Sequence, residues 1–430
     1  MPGRTQPERA RRAARAQRSG VGRLDEAGCD LNALSGLRVV EISGQFTPVG
    51  GRLLAELGAE VVVIEPPAGS SHRSRPPFAH NNIGPDTSLR WWSGNVGKRS
   101  VTVNLDTAEG VSALERLIAS ADIVISGGGP IGDARHPALI WVAVTPFGLD
   151  SMRADQPVTD LTMLAGGGPV WNCGYDDHSL PPIRGAGEQS ANIAGLYCAI
   201  GTLVALAHRD QTGQGQLVEV SVNAACNVSC EQTTYHWLVN NETCVRQTGR
   251  HAYFTRSQPT QVRCADGGYA TTGVLPRKPP EFANLLHWLA DLGLTDELPE
   301  AVFLEMAASR DEPVDIAMIG ADDETTAILM AARDAITLIA SRMAADEYFL
   351  ESQRRGFPAG AVLSPDEAFE DDHVAARGFH VPVHHAELGE IFRYPGTPYL
   401  FSANPAGGPL RPPLLGEHNG LLDELTDDSA

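Results

Sequence analysis

Chemistry in this chain would have to come from a few clusters of reactive or glycine-rich residues. Gly127-Gly-Gly129-Pro-Ile-Gly132 matches GxGxxG directly after a run of strand type. That spacing can bring backbone N–H groups close to a pyrophosphate. Pro130 removes one such donor, no clear helix follows before Pro137, and no acidic residue ends the next strand. A tight loop at a strand's C-terminal end is therefore expected rather than a dinucleotide site, and such ends are where α/β proteins bind ligands. Gly97-Lys98-Arg99-Ser100 and Ser71-His72-Arg73-Ser74-Arg75 are basic patches. Each alone reads as a solvated turn; together they could serve phosphate groups, Arg as a bidentate partner and Lys as a point charge. Gly166-Gly-Gly168-Pro169 could form a mobile lid or a plain loop. Cys226, Cys230 and His236 suggest a metal, but no second ligand pair completes a tetrahedral set, so they read as small residues of a buried helix. No P-loop, HExxH or GxSxG occurs, so phosphoryl transfer, zinc proteolysis and serine hydrolysis lack support.

The elements that must position these residues begin near Leu34. Leu37–Ser43 and Val61–Ile64 are short apolar runs of strand type, and Gly50–Gly58 between them has helical leucine spacing. Strand, helix and strand in so short a span predict a βαβ unit and a parallel sheet. The rhythm continues with a strand at Ser100–Leu105, a helix at Ala108–Ala121, and strands at Ile123–Ile125 and Leu139–Val144. An apolar helix at Ala191–His208, a turn at Thr212–Gly215, a strand at Leu217–Val222 and a helix to about Asn240 follow. Residues 241–258 are polar and read as a loop or linker. Strands at Gln261–Cys264 and Tyr269–Thr272 flank the turn at Asp266-Gly-Gly268, and helices fill 280–355. The pattern predicts a doubly wound parallel-sheet α/β large domain with a smaller α+β second domain. The expected boundaries are a disordered basic leader at 1–33, the large domain at 34–224, the small domain at 225–375, and a C-terminal segment at 376–430 returning to the large domain.

Composition narrows the partners. A chain of 430 residues is too long for one ordinary core. A formal charge of -20 argues against nucleic acid and against an anionic membrane surface. No unbroken run of 18 apolar residues occurs, so no membrane span is expected. Seven scattered Cys fit a reduced, cytoplasmic protein. The first 20 residues hold six Arg and one Glu, which resembles a targeting segment or a leader preceding the fold; we read it as the latter.

Taken together, the motifs resemble the class III CoA-transferases, the family of formyl-CoA and carnitine CoA-transferases that also includes the α-methylacyl-CoA racemases. The likeness runs from about Leu34 to Leu422. Its anchors are Leu37-Arg-Val-Val-Glu-Ile-Ser43, Leu57-Gly-Ala-Glu-Val-Val-Val-Ile-Glu-Pro-Pro67, Gly97-Lys-Arg-Ser-Val101 and Gly195-Leu-Tyr-Cys-Ala-Ile-Gly-Thr-Leu-Val-Ala-Leu206. Thr212-Gly-Gln-Gly-Gln216, Gly356-Phe-Pro-Ala-Gly-Ala-Val362, His373-Val-Ala-Ala-Arg-Gly-Phe379, Tyr394-Pro-Gly-Thr-Pro398 and Leu414-Leu-Gly-Glu-His418 continue it. The resemblance implies two chains interlocked like rings, as a homodimer or a heteromer with a homologous subunit. It implies coenzyme A, as a substrate thioester, along the first domain, and a carboxylic acid as the other small-molecule substrate, with no metal. Gln45, Phe46 and Val103 fall on coenzyme-contacting positions, and Lys98 and Arg99 on a basic motif assigned to phosphate or adenine.

The resemblance also implies covalent catalysis by an Asp, acylated to a mixed anhydride and then converted to an aspartyl-CoA thioester. That Asp lies four residues before the Gly opening the apolar helix, and here the position is Ala191. A methyl group cannot be acylated. Glu188, three residues upstream, could take the role through a different loop path. Asp160 falls where the racemases keep an acid–base Asp, but their His partner is matched here by Pro130, and His136 is the nearest His. Third, the chain could be a non-catalytic subunit or a CoA-thioester binder. Simpler roles are a solvated loop acid for Glu188 and a helix N-cap for Asp160. The segment after Ser126 is also shorter than the family's, which changes part of the coenzyme pocket.

Overall fold

The computed structural model describes residues 32–131, 136–230, 232–254, 258–273, 275–403 and 409–427; residues 1–31, covering nearly all of the expected leader, and Gly132 of the glycine-rich motif lie outside them. The first half alternates β1 (Arg38–Ile42), α1 (Pro48–Glu56), β2 (Glu60–Glu65), α2 (Leu89–Asn95), β3 (Arg99–Thr102), α3 (Ala108–Ala119), β4 (Ile123–Ser126), β5 (Ile140–Thr145), α4 (Asp160–Gly167), α5 (Gln189–Thr212) and β6 (Leu217–Ser221). The six strands form one sheet in the order β3-β2-β1-β4-β5-β6, with every pairing parallel. Strands such as Val61–Ile64 are wholly buried, as expected where helices cover both faces. The strand order reverses between β1 and β4. Their C-terminal ends therefore open a crevice at the topological switch point.

Close helix contact depends on small residues. A Cβ on Gly195 of α5 would lie 2.5 Å from Val49 Cβ, and one on Gly50 of α1 would lie 2.6 Å from Cys198 Sγ. Helix α5 is apolar and long enough to cross a membrane by length and composition, a point the absence of an unbroken apolar run did not capture. Here it is the core helix of the domain. Ala194, Cys198 and Ala205 are buried, while Leu196, Ile200 and Val204 face outward.

After β6 come α6 (Val222–Val228) and α7 (Gln232–Asn240), two helices where one was expected. The polar segment read as a loop pairs as a hairpin of β7 (Val245–Gln247) and β8 (Arg250–Tyr253). Strands β9 (Gln261–Arg263) and β10 (Tyr269–Thr271) are followed by helices α8 (Pro279–Asp291), α9 (Ala301–Ala308), α10 (Asp323–Ala340) and α11 (Ala345–Arg354). A third strand, β11 (Gly360–Val362), completes an antiparallel sheet with β9 and β10. These helices share a separate core around Phe282, Leu285, Trp288 and Leu329.

The last segment runs through α12 (Pro365–Glu370), α13 (Asp372–Ala376), the hairpin β12 (His380–His385) and β13 (Glu390–Pro395), and α14 (Leu421–Asp427). The hairpin sets His385, Phe392 and Tyr394 around Trp92 of α2. Residues 416–419 line the free edge of β3. His418 N–H donates to Ser100 O at 2.9 Å, Ser100 N–H to His418 Nδ1 at 3.2 Å, and Thr102 N–H to Asn419 Oδ1 at 2.8 Å. Leu421, Leu422 and Leu425 pack on the core beneath α3.

Candidate functional site

At the switch point, β1 gives way to Gly44-Gln45-Phe46-Thr47, and the Gly44 N–H donates to Thr47 Oγ1 at 3.1 Å. A Cβ on Gly44 would lie 3.8 Å from the Gly127 nitrogen, so the loops after β1 and β4 meet here. The glycine-rich loop is tied back by Ser126 Oγ, which donates to Gly128 O and accepts from Trp141 Nε1 at 2.9 Å.

The opposite wall is the start of α5. Glu188 occupies the N-cap position without a side-chain cap bond, and Ala191 is the third helical residue, 7% exposed. The missing cap comes from a neighbouring element. Asp160 Oδ1 accepts the Ser190 N–H at 2.9 Å and the Ser190 hydroxyl at 2.8 Å. Asp160 itself is the first residue of α4, whose cap is Thr159. Its Oδ2 accepts from Arg184, which also donates to Gly187 O at 3.1 Å. Glu188 Oε1 accepts from Arg75 Nη1 at 3.1 Å and faces Arg90 Nη1 at 2.7 Å. These groups enclose a cavity of about 290 Å³ whose walls include Gln45, Phe46, Arg75, Asp160, Glu188 and Ala191. An anion is favoured there by the N-terminal end of α5 and by the nearby guanidinium groups.

The other expected coenzyme residues sit elsewhere. Lys98 is fully buried: its Nζ donates to Glu41 Oε2 at 2.6 Å, Pro48 O at 2.9 Å and Asn95 Oδ1 at 2.9 Å. All three donors are committed inside the fold, which corrects the expectation of a phosphate-facing charge. Burial pulls its ammonium down in pKa and Glu41 pulls it back up, with a net lowering. Arg73 corrects that expectation too. It is 2% exposed, bonds the buried Glu65 through Nε at 2.6 Å and Nη2 at 2.8 Å, and lies over Trp91. Arg99 is half-exposed and pairs with Glu60 at 2.7 Å. It lines a second cavity of about 480 Å³ with Arg411, His384 and His418. The Val103 side chain is a core contact, 4% exposed. His72 is buried with its Nε2 unbonded among the described residues, and burial lowers its pKa while Glu188 opposes the shift.

His136 hydrogen-bonds Ala121 O at 3.0 Å, just before β4 begins, whereas Asp160 stands beyond the C-terminal ends of the strands. The two do not form an acid–base pair. Gly167 packs where a Cβ would meet Cys226 Cβ at 2.4 Å, and Gly168, at φ +111°, ends α4. That glycine run serves helix packing and helix termination. His236 pairs with Glu242 at 2.9 Å and stacks on Phe254. The six described cysteines are free thiols, and no group of three or more His, Cys, Asp or Glu suited to a metal occurs among the described residues. Arg90, Arg184 and Ser190 escaped the sequence reading. Only the cap-like Ser88 ahead of a short helix could have pointed to Arg90.

Residues 34–419 match the sequence pattern of CoA-transferase family III. The chain is 28% identical to the succinyl-CoA:(R)-benzylsuccinate CoA-transferase subunit BbsE of Thauera aromatica, across 89% of this chain and 92% of that protein. It is 27% identical to the succinyl-CoA–L-malate CoA-transferase alpha subunit of Chloroflexus aurantiacus, across 92% and 90%. Its fold matches the crystal structure of a CaiB/BaiF family protein from Brucella suis, with a TM-score of 0.72 and 23% identity over 92% of this chain and 100% of that one. The chain belongs to CoA-transferase family III.

Proposed function

We propose that this family III chain moves CoA between an acyl thioester and a carboxylic acid in the cavity at the start of α5. The observation that carries the reading is the convergence of Gln45, Phe46, Asp160, Glu188 and Ala191 on one pocket at the switch point of the sheet. Gln45 and Phe46 would meet the sulfur end of the coenzyme, and Arg99, in place of Lys98, would offer charge to its phosphates. Asp160 shapes the site by capping α5. The relatives are named for succinyl-CoA, and a rim carrying Arg75, Arg90 and Arg184 suits acids with a second carboxylate. Glu188 as a relocated nucleophile is one of the three routes open from sequence, and hydroxylamine trapping during incubation with acyl-CoA reads it as a hydroxamate.

A second reading is favoured by Ala191 and by relatives named as subunits. In it, this chain holds thioester beside a homologous chain that carries the Asp. The outward apolar side chains Leu196, Ile200 and Val204 of α5 and Tyr235, Leu238 and Val239 of α7 support a partner chain, a second copy or a homologue. Native mass spectrometry of the purified oligomer distinguishes the two. Calorimetry with succinyl-CoA and free CoA tests the reading common to both. Binding weakened by Gln45→Ala is expected, and no association at all would remove it.

A further inference from the structure

Glu188 does two things that sit badly together in a nucleophile. Its Oε1 is held by Arg75 and Arg90, at 3.1 and 2.7 Å, and it shares a cavity wall with Ala191, the position at which the resemblance places the family's carboxylate. A carboxylate with one oxygen shared by two guanidinium groups has that oxygen engaged and its charge offset, which lowers its power to attack. The same contacts show what the two arginines recognise. The side chains of Arg75, Arg90 and Glu188 are 38%, 36% and 28% exposed, so an incoming acid can reach the pair and Glu188 can turn to water.

We propose that Arg75 and Arg90 form the receptor for one carboxylate of a dicarboxylic acceptor acid, that Glu188 fills it until the acid arrives, and that the acceptor's other carboxylate, free of the arginines, attacks the thioester directly. The inference rests on the CoA-transfer reading above. One acceptor oxygen bonds to the acyl carbon and the C–S bond breaks, giving an anhydride between the two acids and CoA thiolate. The thiolate attacks the acceptor's carbonyl carbon, and the bridging oxygen leaves with the donor acid. The products are acceptor-CoA and donor carboxylate, with no proton or redox partner required. No residue is acylated, so Ala191 is no obstacle, and both substrates must be bound together.

The test uses the full chain in its native oligomer, in molar excess over unlabelled succinyl-CoA, with succinate labelled by ¹³C in its carbons and ¹⁸O in its carboxyl groups. Direct attack places one ¹⁸O in the unlabelled-carbon succinate released in the first turnover. If that succinate emerges free of ¹⁸O, or a hydroxamate forms on Glu188, the inference is overturned while CoA transfer stands. If no exchange occurs at all, the transfer reading falls and this inference with it. Arg75→Ala is expected to raise the KM for succinate at least tenfold with CoA affinity retained. Glu188→Gln, which removes the resident carboxylate, is expected to lower that KM several-fold. A Glu188→Gln protein that folds, binds CoA and shows no turnover also overturns the proposal.

Discussion

Replacing Lys98 with methionine tests the interior of the large domain. The ammonium lies against Glu41 with neither side chain exposed, and it also satisfies Pro48 O and Asn95 Oδ1. Methionine keeps the apolar stem and deletes the charge. Among the described residues, Glu41 is then left as a buried carboxylate with the Thr47 hydroxyl, at 3.1 Å, as its one side-chain donor. Breaking a buried pair from one side costs about 3–5 kcal/mol. With a urea slope of about 2–3 kcal/mol/M, the unfolding midpoint drops by roughly 1–2.5 M. The double variant Lys98→Met/Glu41→Leu removes both charges and recovers most of the loss, because apolar replacement of a buried pair is often neutral. The assay is urea unfolding followed by circular dichroism, paired with calorimetric titration of CoA. A midpoint moved by less than about 0.3 M, well below that expectation, together with a clear loss of CoA affinity, would refute the reasoning and return Lys98 to the coenzyme.

Three further outcomes are expected. Gly195→Ala puts a methyl 2.5 Å from Val49 Cβ and 3.0 Å from the Gly50 nitrogen, so α1 and α5 must separate. A loss of about 1–3 kcal/mol in thermal unfolding and weaker succinyl-CoA binding should accompany each other; an unshifted Tm would contradict the packing. Asp160→Ala removes the cap of α5 and should lower stability by about 0.5–2 kcal/mol, while Asp160→Asn keeps an acceptor for Ser190 and should lose less. Equal losses in urea titrations of the two would argue that the cap contributes nothing. Burial holds His72, His385 and His418 below the ordinary 6.5. The unfolded chain therefore binds more protons just below that value, so stability present above pH 6.5 is lost as the pH falls through the folded-state values. Urea midpoints measured from about pH 7.5 down to 5.5 should fall; a rise would mean the histidines are not buried as neutral rings.

The parallel sheet was legible because its central strands are apolar runs, as in Val61–Ile64 and Ile123–Ile125, and several of its turns carry a Gly or Pro, as at Gly44, Gly58 and Gly97. Helix α1 begins two residues earlier than its leucines suggest, since Pro48 suits a first helical turn. Strand β3 is shorter than read because its last bond to β2 is the Val103 N–H to Glu65 O at 2.8 Å, after which residues 104–107 form a turn. The hairpin of β7 and β8 was hidden by polar residues; of these, Thr248 Oγ1 accepts the Asp176 N–H and Arg250 donates to the Asp176 carboxylate. At the site, Ala191 and Glu188 line one cavity because both stand at the first turn of α5, where helical geometry is local. Charge alone misjudged Lys98 and Arg73. A lysine two residues from an exposed turn and one facing a buried glutamate look alike until Glu41 is placed by strand pairing. Arg90 and Arg184 come from segments far apart in sequence, and only the tertiary fold brings them against Glu188 and Asp160 of the pocket wall.

The strip of chain that seals β3 is made long after the strand it seals. Gly416 meets Ser100 across 316 positions of sequence. A ribosome adding about 5–20 residues each second leaves that edge bare for on the order of tens of seconds. During synthesis the sheet presents an unpaired parallel strand to any neighbouring nascent chain, a known invitation to mispairing. Yield in cells should therefore depend on translation speed over the last third of the message, and on chaperones that can mask one strand until its own tail arrives.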